Sequence, residues 1–203
     1  DILLVTNGLG FLFKTEITLA SDSKCTVKIV SIEKTEPSKY YLHLAVAPTK
    51  MNDRYEWFLE KATEIGVSEI IPLICTRTEK TAFKFDRMKS ILVSAMLQSQ
   101  QTWLPVLHEA TKFNALVKSP GYQQKFIAHC SENDNKIYLG SVLEKQSSYL
   151  ILIGPEGDFT ENEIQMCKDA GFVEVSLGES RLRTETAGVV TCSIVSVVNS
   201  ILL

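Results

Sequence analysis

Metal-ligand spacing is missing from this sequence. Its five cysteines, Cys25, Cys75, Cys130, Cys167 and Cys192, contain no CxxC pair, and its three histidines, His43, His108 and His129, are scattered. That pattern fits neither a zinc site nor a disulfide framework, so no metal is expected. Dispersed thiols, odd in number, point to a reduced, cytoplasmic compartment. No charged start leads into an apolar run, so no signal peptide is visible. The most apolar stretch, residues 189–203, is interrupted by Thr191, Ser193, Ser196, Asn199 and Ser200, and is too short and polar for a membrane span. There is no internal repeat and no low-complexity tract. Nor is there a net basic charge: 21 Lys+Arg stand against 24 Asp+Glu, a formal −3. Taken as an average, that argues against a nucleic-acid partner, whose usual footprint is basic.

What is present is a chain of 203 residues with 45% hydrophobic side chains, enough for a sizeable core and for one to one and a half domains. It begins at Asp1 rather than Met, and an N-terminal part is expected to be missing. The start reads as strands. Residues 2–5 lead into Asn7-Gly8, a two-residue hairpin signal that wants positive φ at both positions. Phe11, Phe13, Thr15, Ile17 and Leu19 then alternate as a half-buried strand, and residues 25–32 form another. Residues 33–38, polar and containing Pro37, read as a linker.

From Tyr40 the pattern changes. Short apolar strands at 41–47, 70–74, 126–128, 149–153 and 172–175 alternate with helical periodicity. Asp53 and Glu56 suggest a capping box opening a first helix, with Tyr55, Leu59, Ala62 and Ile65 on one face and Gly66 closing it. A second helix is expected within 84–100. Thr160 and Glu163 form another capping box, on a helix that ends at Gly171. Thr184 is placed to cap a last helix through Val190, Ile194, Val197 and Ile201. Strands alternating with helices specify an α/β fold with a parallel sheet.

In open α/β sheets ligands bind beyond the carboxyl ends of the strands, so the loops there carry most weight. After the 149–153 strand comes Gly154-Pro155-Glu156-Gly157-Asp158-Phe159; after the 172–175 strand comes Leu177-Gly178-Glu179-Ser180-Arg181-Leu182-Arg183. Each enters a helix whose first N–H groups are free. One such loop is a rigid turn or a solvated connector as readily as a site; two together make a ligand site the better reading. Neither is a P-loop, because no Lys-Ser/Thr follows, and Gly8 and Gly10 lack the third glycine of a dinucleotide fingerprint. Lys50, Arg54 and Lys61 lie toward one helix face, near Thr63 and Glu64, which by itself describes an ordinary solvated face.

The −3 average conceals a division. Residues 1–38 hold 4 basic and 5 acidic groups, residues 39–112 hold 10 and 8, and residues 113–203 hold 7 and 11. Arg77, Lys80, Lys84, Arg87 and Lys89 crowd around Phe83 and Phe85. Cations interleaved with aromatics suit a phosphate backbone with stacked bases, although an ordinary loop before a helix would read the same.

Three motifs in order, KATEIGV at 61–67, GPEGDF at 154–159 and LGESRLRTETA at 177–187, resemble the ribosomal RNA uridine N3-methyltransferases of the SPOUT class. Those enzymes typically read GPEGG and then LG-x-x-LRTETA at these places. The resemblance covers the α/β part throughout, and residues 2–32 look like the end of the family's PUA-like β-barrel. It implies a PUA-like barrel at 1–38, lacking its N-terminal part, and a SPOUT domain at 39–203 with a C-terminal trefoil knot. It implies S-adenosylmethionine as cofactor, held by Ile153, Gly154, Gly157, Leu177, Gly178, Glu179, Ser180, Arg181 and Leu182, largely through backbone groups. It also implies a homodimer with the last helix in the interface, and 16S ribosomal RNA of the small subunit as partner. Lys50, Arg54, Arg77, Lys80 and Lys84 are the expected RNA-binding residues.

Two departures from the pattern stand out. Asp158 occupies the place of the family's second glycine, where its carboxylate is expected to pair with an arginine or cap the next helix. The run 97–101 lacks the arginine that often follows a Glu-Gln-Ser sequence. The chemistry needs loss of the N3 proton and access to the Watson–Crick edge of an unpaired or flipped base. Arg183 is the expected stabiliser of the uridine anion or binder of its phosphate, with Glu185 or Glu156 assisting deprotonation. Rival readings are a SPOUT enzyme acting on a transfer RNA base or a ribose 2′-hydroxyl, an RNA-binding module without catalysis, and a phosphatase or nucleotide hydrolase. The last would need a metal cluster or phosphate loop that the sequence lacks.

Overall fold

The computed structural model describes residues 1–81, 84–131 and 136–200. Phe83 and Ile201, given places in the sequence reading, lie outside the described residues. The N-terminal strands β1 (Ile2–Thr6), β2 (Phe11–Ala20) and β3 (Cys25–Lys34) form an antiparallel sheet in the order β1-β2-β3. The Asn7-Gly8 signal marks the turn, but the loop is four residues long rather than two. Positive φ falls at Gly8 and Gly10, while the Asn7 Oδ1 accepts the Leu9 N–H at 2.9 Å. β3 also runs two residues into the expected linker.

This sheet is fastened to the rest of the molecule at residues 102–104. The Gly10 N–H donates to the Thr102 carbonyl at 2.8 Å, Leu104 N–H to the Gly8 carbonyl at 2.9 Å, and the Trp103 indole to the Thr35 carbonyl at 3.2 Å. Gly10 has φ 86° and lies so close under Trp103 that a Cβ would fall 2.4 Å from the indole ring. Only glycine supplies both that backbone and that approach.

After β3 the chain alternates as the sequence specified: β4 (Tyr41–Val46), α1 (Asn52–Ile65), β5 (Glu69–Ile74), α2 (Phe85–Gln98), β6 (Val106–Leu107), β7 (Thr111–Lys112), α3 (Phe113–Val117), β8 (Gln124–Ala128), β9 (Ile137–Tyr138), α4 (Leu139–Val142), β10 (Ser148–Ile153), α5 (Glu161–Asp169), β11 (Val173–Ser176) and α6 (Thr184–Ser200). The sheet is parallel, in the order β6-β5-β4-β10-β8-β11-β9, with β7 also on β5. Central strand β10 is buried on both faces, as its unbroken Tyr149–Ile153 apolar run requires. Tyr149, Ile151 and Ile153 face the cluster made with α1, α2 and α6; Leu150 and Leu152 face the one made with α3 and α5. Period-2 alternation thus builds a three-layer sandwich. Pro72, which cannot donate to a ladder, falls between the residues of β5 that pair β6 and those that pair β7.

Two expected helix starts are corrected. At α1 the cap is Met51, with no side-chain cap bond; Asp53 is the second residue of the helix, and the Glu56 carboxylate is bound by Arg87 at 2.5 and 2.7 Å. Thr184 is the first residue of α6 rather than its cap, and its hydroxyl donates to the Gly154 carbonyl at 3.0 Å. The Gly66 stop, φ 96°, and the Thr160–Glu163 capping box are both present. α6 lies against α1 through Gly188, whose missing Cβ makes room for the buried Phe58 ring. Among the described residues no helix is long and apolar enough to cross a membrane.

Candidate active site

Strands β10, β8 and β11 are neighbours, yet β10 follows β8 in sequence and β11 crosses to its far side. Their carboxyl ends therefore open onto one crevice, the arrangement in which α/β sheets bind ligands. A cavity of about 440 Å³ lies there, walled by residues 128–130 at the end of β8, 153–156 and 158 at the end of β10, and 175–183 at the end of β11, with Ala187 of α6. That size is within the range of small-molecule sites. All nine residues expected around the cofactor belong to this region, and eight of them line the cavity directly. Gly157 does not: it packs against the Arg77 side chain on the outer side of its loop.

The 154–159 loop is held from every side. Its Gly154 carbonyl is fixed by Thr184, and its turn closes with the Asp158 N–H on the Pro155 carbonyl at 2.8 Å. Arg77, one of the expected RNA contacts, donates to the carbonyls of Gly157 at 2.7 Å and Phe159 at 3.4 Å. The Glu156 carboxylate accepts the Lys50 backbone N–H at 3.3 Å and is otherwise exposed. Beyond the loop, the Glu163 carboxylate accepts bonds from Thr160 and from Thr76. Burial raises its pKa, but these bonds outweigh that and hold it below the usual carboxylate range.

Asp158 neither meets an arginine nor caps α5. Its Oδ2 accepts the Cys130 N–H and its Oδ1 the Phe159 N–H, both at 2.8 Å, which ties the exit of β8 to the exit of β10. Its φ is 62°, in the left-handed region, where aspartate is tolerated and glycine is at ease. The backbone here asks for the family's glycine, and aspartate adds two bonds. Asp158→Ala loses both bonds and keeps a strained Cβ; Asp158→Gly loses the bonds but relieves the strain; Asp158→Asn keeps an acceptor. Urea denaturation should therefore rank stability Asn, Gly, Ala, with Ala about 1 kcal/mol below Gly. An alanine variant as stable as the glycine one would remove the strain argument.

At the back of the cavity the His129 imidazole is fully buried between Glu174 Oε2 (3.0 Å) and the Ser131 hydroxyl (2.7 Å). Burial lowers its pKa, the Glu174 contact opposes this, and the balance favours the neutral ring. Lys136 donates to the carbonyls of His129 and Ser131, anchoring this third wall. None of it was proposed from sequence, although residues 128–130 follow a strand that the sequence did reveal. Among the described residues no group of three or more His, Cys, Asp or Glu is placed to hold a metal ion.

Residues 181–183 form a partition. Across them lies a wider depression of about 680 Å³, bounded by Arg54, Trp57, Arg181, Leu182, Arg183 and Glu185. Arg183 is exposed, and among the described residues its guanidinium has no hydrogen bond or ion pair. Glu185 is buried, its Oε1 lying 3.9 Å from Arg54 Nε and its Oε2 lacking any hydrogen-bond partner. Of the other expected RNA contacts, Lys50 pairs with Glu79 at 3.0 Å, Lys80 donates to Asn52 Oδ1, and Lys84 is exposed. Lys50, Arg54 and Lys80 gather at the start of α1.

Fold and crevice define a parallel α/β protein with a small-molecule cavity at its strand ends and a charged face beside it. Residues 36–196 match the RNA methyltransferase domain, and the chain belongs to that family. It is 26% identical to the Rickettsia conorii ribosomal RNA small subunit methyltransferase E, over 98% of this chain and 82% of that one. With the Bacillus subtilis protein of the same name it shares 29%, over 91% and 77%. The crystal structure of a probable rRNA-methyltransferase from Porphyromonas gingivalis superposes with TM-score 0.93 at 36% identity, covering 98% of this chain and 85% of that one. A Neisseria gonorrhoeae ribosomal RNA small subunit methyltransferase E bound to S-adenosyl methionine superposes with TM-score 0.88 at 27% identity, covering 98% and 84%.

Proposed function

We propose that this S-adenosylmethionine-dependent RNA methyltransferase transfers a methyl group to N3 of a uridine in 16S ribosomal RNA. The observation that carries the reading is the buried, unpartnered carboxylate oxygen of Glu185 in a depression also bounded by Arg183, which borders both cavities. The relatives named small subunit methyltransferase E favour small-subunit RNA, and the sulfonium-bound relative favours the donor.

The donor fits the first cavity. Residues 153–156, 158 and 177–182 line it, and Gly178, at φ 141°, adds no side chain to the wall. Residues 153–154 and 177–182 would hold it, and when bound it supplies an electrophilic methyl group whose departing sulfur retains the bond's electron pair. The chain's own groups do the rest. The N3 proton leaves to the Glu185 carboxylate as the nitrogen–carbon bond forms, and Arg183 stabilises the negative charge spread over the uracil oxygens. Glu185 suits this role better than Glu156, whose exposed carboxylate already accepts the Lys50 N–H. The two walls orient donor and acceptor before reaction. This reading includes a PUA-like domain at 1–38, a knotted SPOUT domain at 39–203, a homodimer formed through α6 and a cytoplasmic setting. The five free thiols are compatible with that setting.

Small-subunit particles incubated with methyl-labelled donor and then digested to nucleosides test the assignment. N3-methyluridine is the expected product. Label on another base or on a ribose would overturn the target assignment, and no transfer would overturn the activity.

A further inference from the structure

We propose that the depression between α1 and residues 181–185 is the acceptor-base pocket, with Trp57 as its stacking face and Glu185, set among Arg54 and Arg183, reading uracil against cytosine. This rests on the N3 reading above and names the subsite that serves it.

The two cavities share Arg181, Leu182 and Arg183, so ligands in them are separated only by that strip of chain. A transfer between two bound molecules needs such a common wall. Trp57 is 43% exposed on α1 and borders the depression, presenting a large apolar ring to solvent. Tryptophan beside arginines is the chemistry that holds single-stranded bases, because every base has a face to stack. The polar set is specific. Uracil offers acceptor, donor, acceptor along O2, N3–H and O4; cytosine offers acceptor, acceptor, donor. Besides Asp53 and Thr186, the lining holds Arg54 and Arg183, which can only donate, and the Glu185 carboxylate, which can only accept. That donor–acceptor–donor set matches uracil and opposes cytosine, whose N3 lone pair would face a carboxylate. The Glu185 Oε2 is buried and has no hydrogen-bond partner among the described residues, so it is an acceptor available to the N3–H. A buried acceptor without a partner is costly unless a ligand supplies the donor.

The test uses the whole chain with S-adenosylhomocysteine, titrated with hexauridylate or hexacytidylate while the Trp57 indole N–H resonance is followed, assigned by its absence in Trp57→Phe. Hexauridylate should shift that resonance and bind at least about tenfold more tightly than hexacytidylate. Trp57→Ala should weaken hexauridylate binding by about 5- to 150-fold, Trp57→Phe should restore most of it, and both should keep normal S-adenosylhomocysteine binding. Glu185→Gln should narrow the difference between the two RNAs. An unshifted Trp57 resonance, equal binding of the two RNAs, or wild-type affinity in Trp57→Ala overturns the pocket. So does a Trp57→Ala variant that changes only the oligomeric state, which would make the face a protein contact. Mapping label away from N3 while hexauridylate still selects Trp57 overturns the target assignment and leaves the pocket standing.

Discussion

Replacing Arg183 by alanine should lower methyl transfer by about 10²- to 10³-fold while donor affinity changes by no more than a few fold. The asymmetry follows from where the side chain sits. Arg183 borders both cavities, is exposed, and holds no partner among the described residues, so its removal disturbs no packing or ion pair of the resting protein. In the proposed reading the donor is held largely by backbone, which the substitution leaves in place; the Arg183 carbonyl still accepts the Ala187 N–H at 2.8 Å. What disappears is a positive charge at the partition where, in the proposed mechanism, the uridine becomes anionic. Single-turnover transfer and calorimetric donor binding, measured on one preparation, separate the two effects. Arg183→Lys should recover part of the rate, because it restores charge without the planar fork. Unchanged transfer in Arg183→Ala would remove this residue from the mechanism. A parallel loss of donor binding would assign it to the donor instead.

The second large effect is expected at Gly154. A Cβ there would lie 3.0 Å from two carbons of the Phe159 ring and 3.3 Å from the Phe159 nitrogen. Phe159 cannot yield easily: it is buried and packed on Phe113, with ring centroids 5.8 Å apart. The loop cannot yield either, because Thr184 fixes the Gly154 carbonyl and Asp158 joins the loop to Cys130. Gly154→Val should therefore displace the cavity wall and weaken donor binding by about tenfold or more, the scale of a 1–3 kcal/mol overpacking strain. Gly157→Ala is the control. Its Cβ would make only ordinary contact with Arg77, the nearest atom at 3.4 Å, so donor binding should stay within about threefold of wild type. Normal donor affinity in Gly154→Val would show that this contact does not set the wall.

Much of the architecture was legible because periodicity reports burial. The alternating and continuous apolar runs of β4, β5, β8 and β10, the left-handed stop at Gly66 and the Thr160–Glu163 box are local signals with local causes. The Asp53–Glu56 box failed because the helix begins one residue before Asp53, with Met51 as its cap, and Glu56 pairs with Arg87, 31 residues away. The two-residue strands β6, β7 and β9 carry no periodicity to read. Arg77, read as an RNA contact, also holds a loop 80 residues later in the chain, a bond that spacing does not report. Trp57 gave no signal, since an aromatic on a helix usually faces the core.

The sequence by itself determined the alternation of strands and helices, the two loops at strand ends and the family, because these rest on residue spacing and motif order. It also carried the net charge of −3, which excluded little: Arg54 and Arg183, far apart in the chain, border one depression. Only the tertiary structure decided which residues meet. Strand order places β8 between β10 and β11, so three loops close one cavity, and Glu185 keeps one buried oxygen unpaired while Arg54 approaches the other. Spacing along a chain fixes which face a side chain occupies, whereas its partners come from elements that cross over in three dimensions.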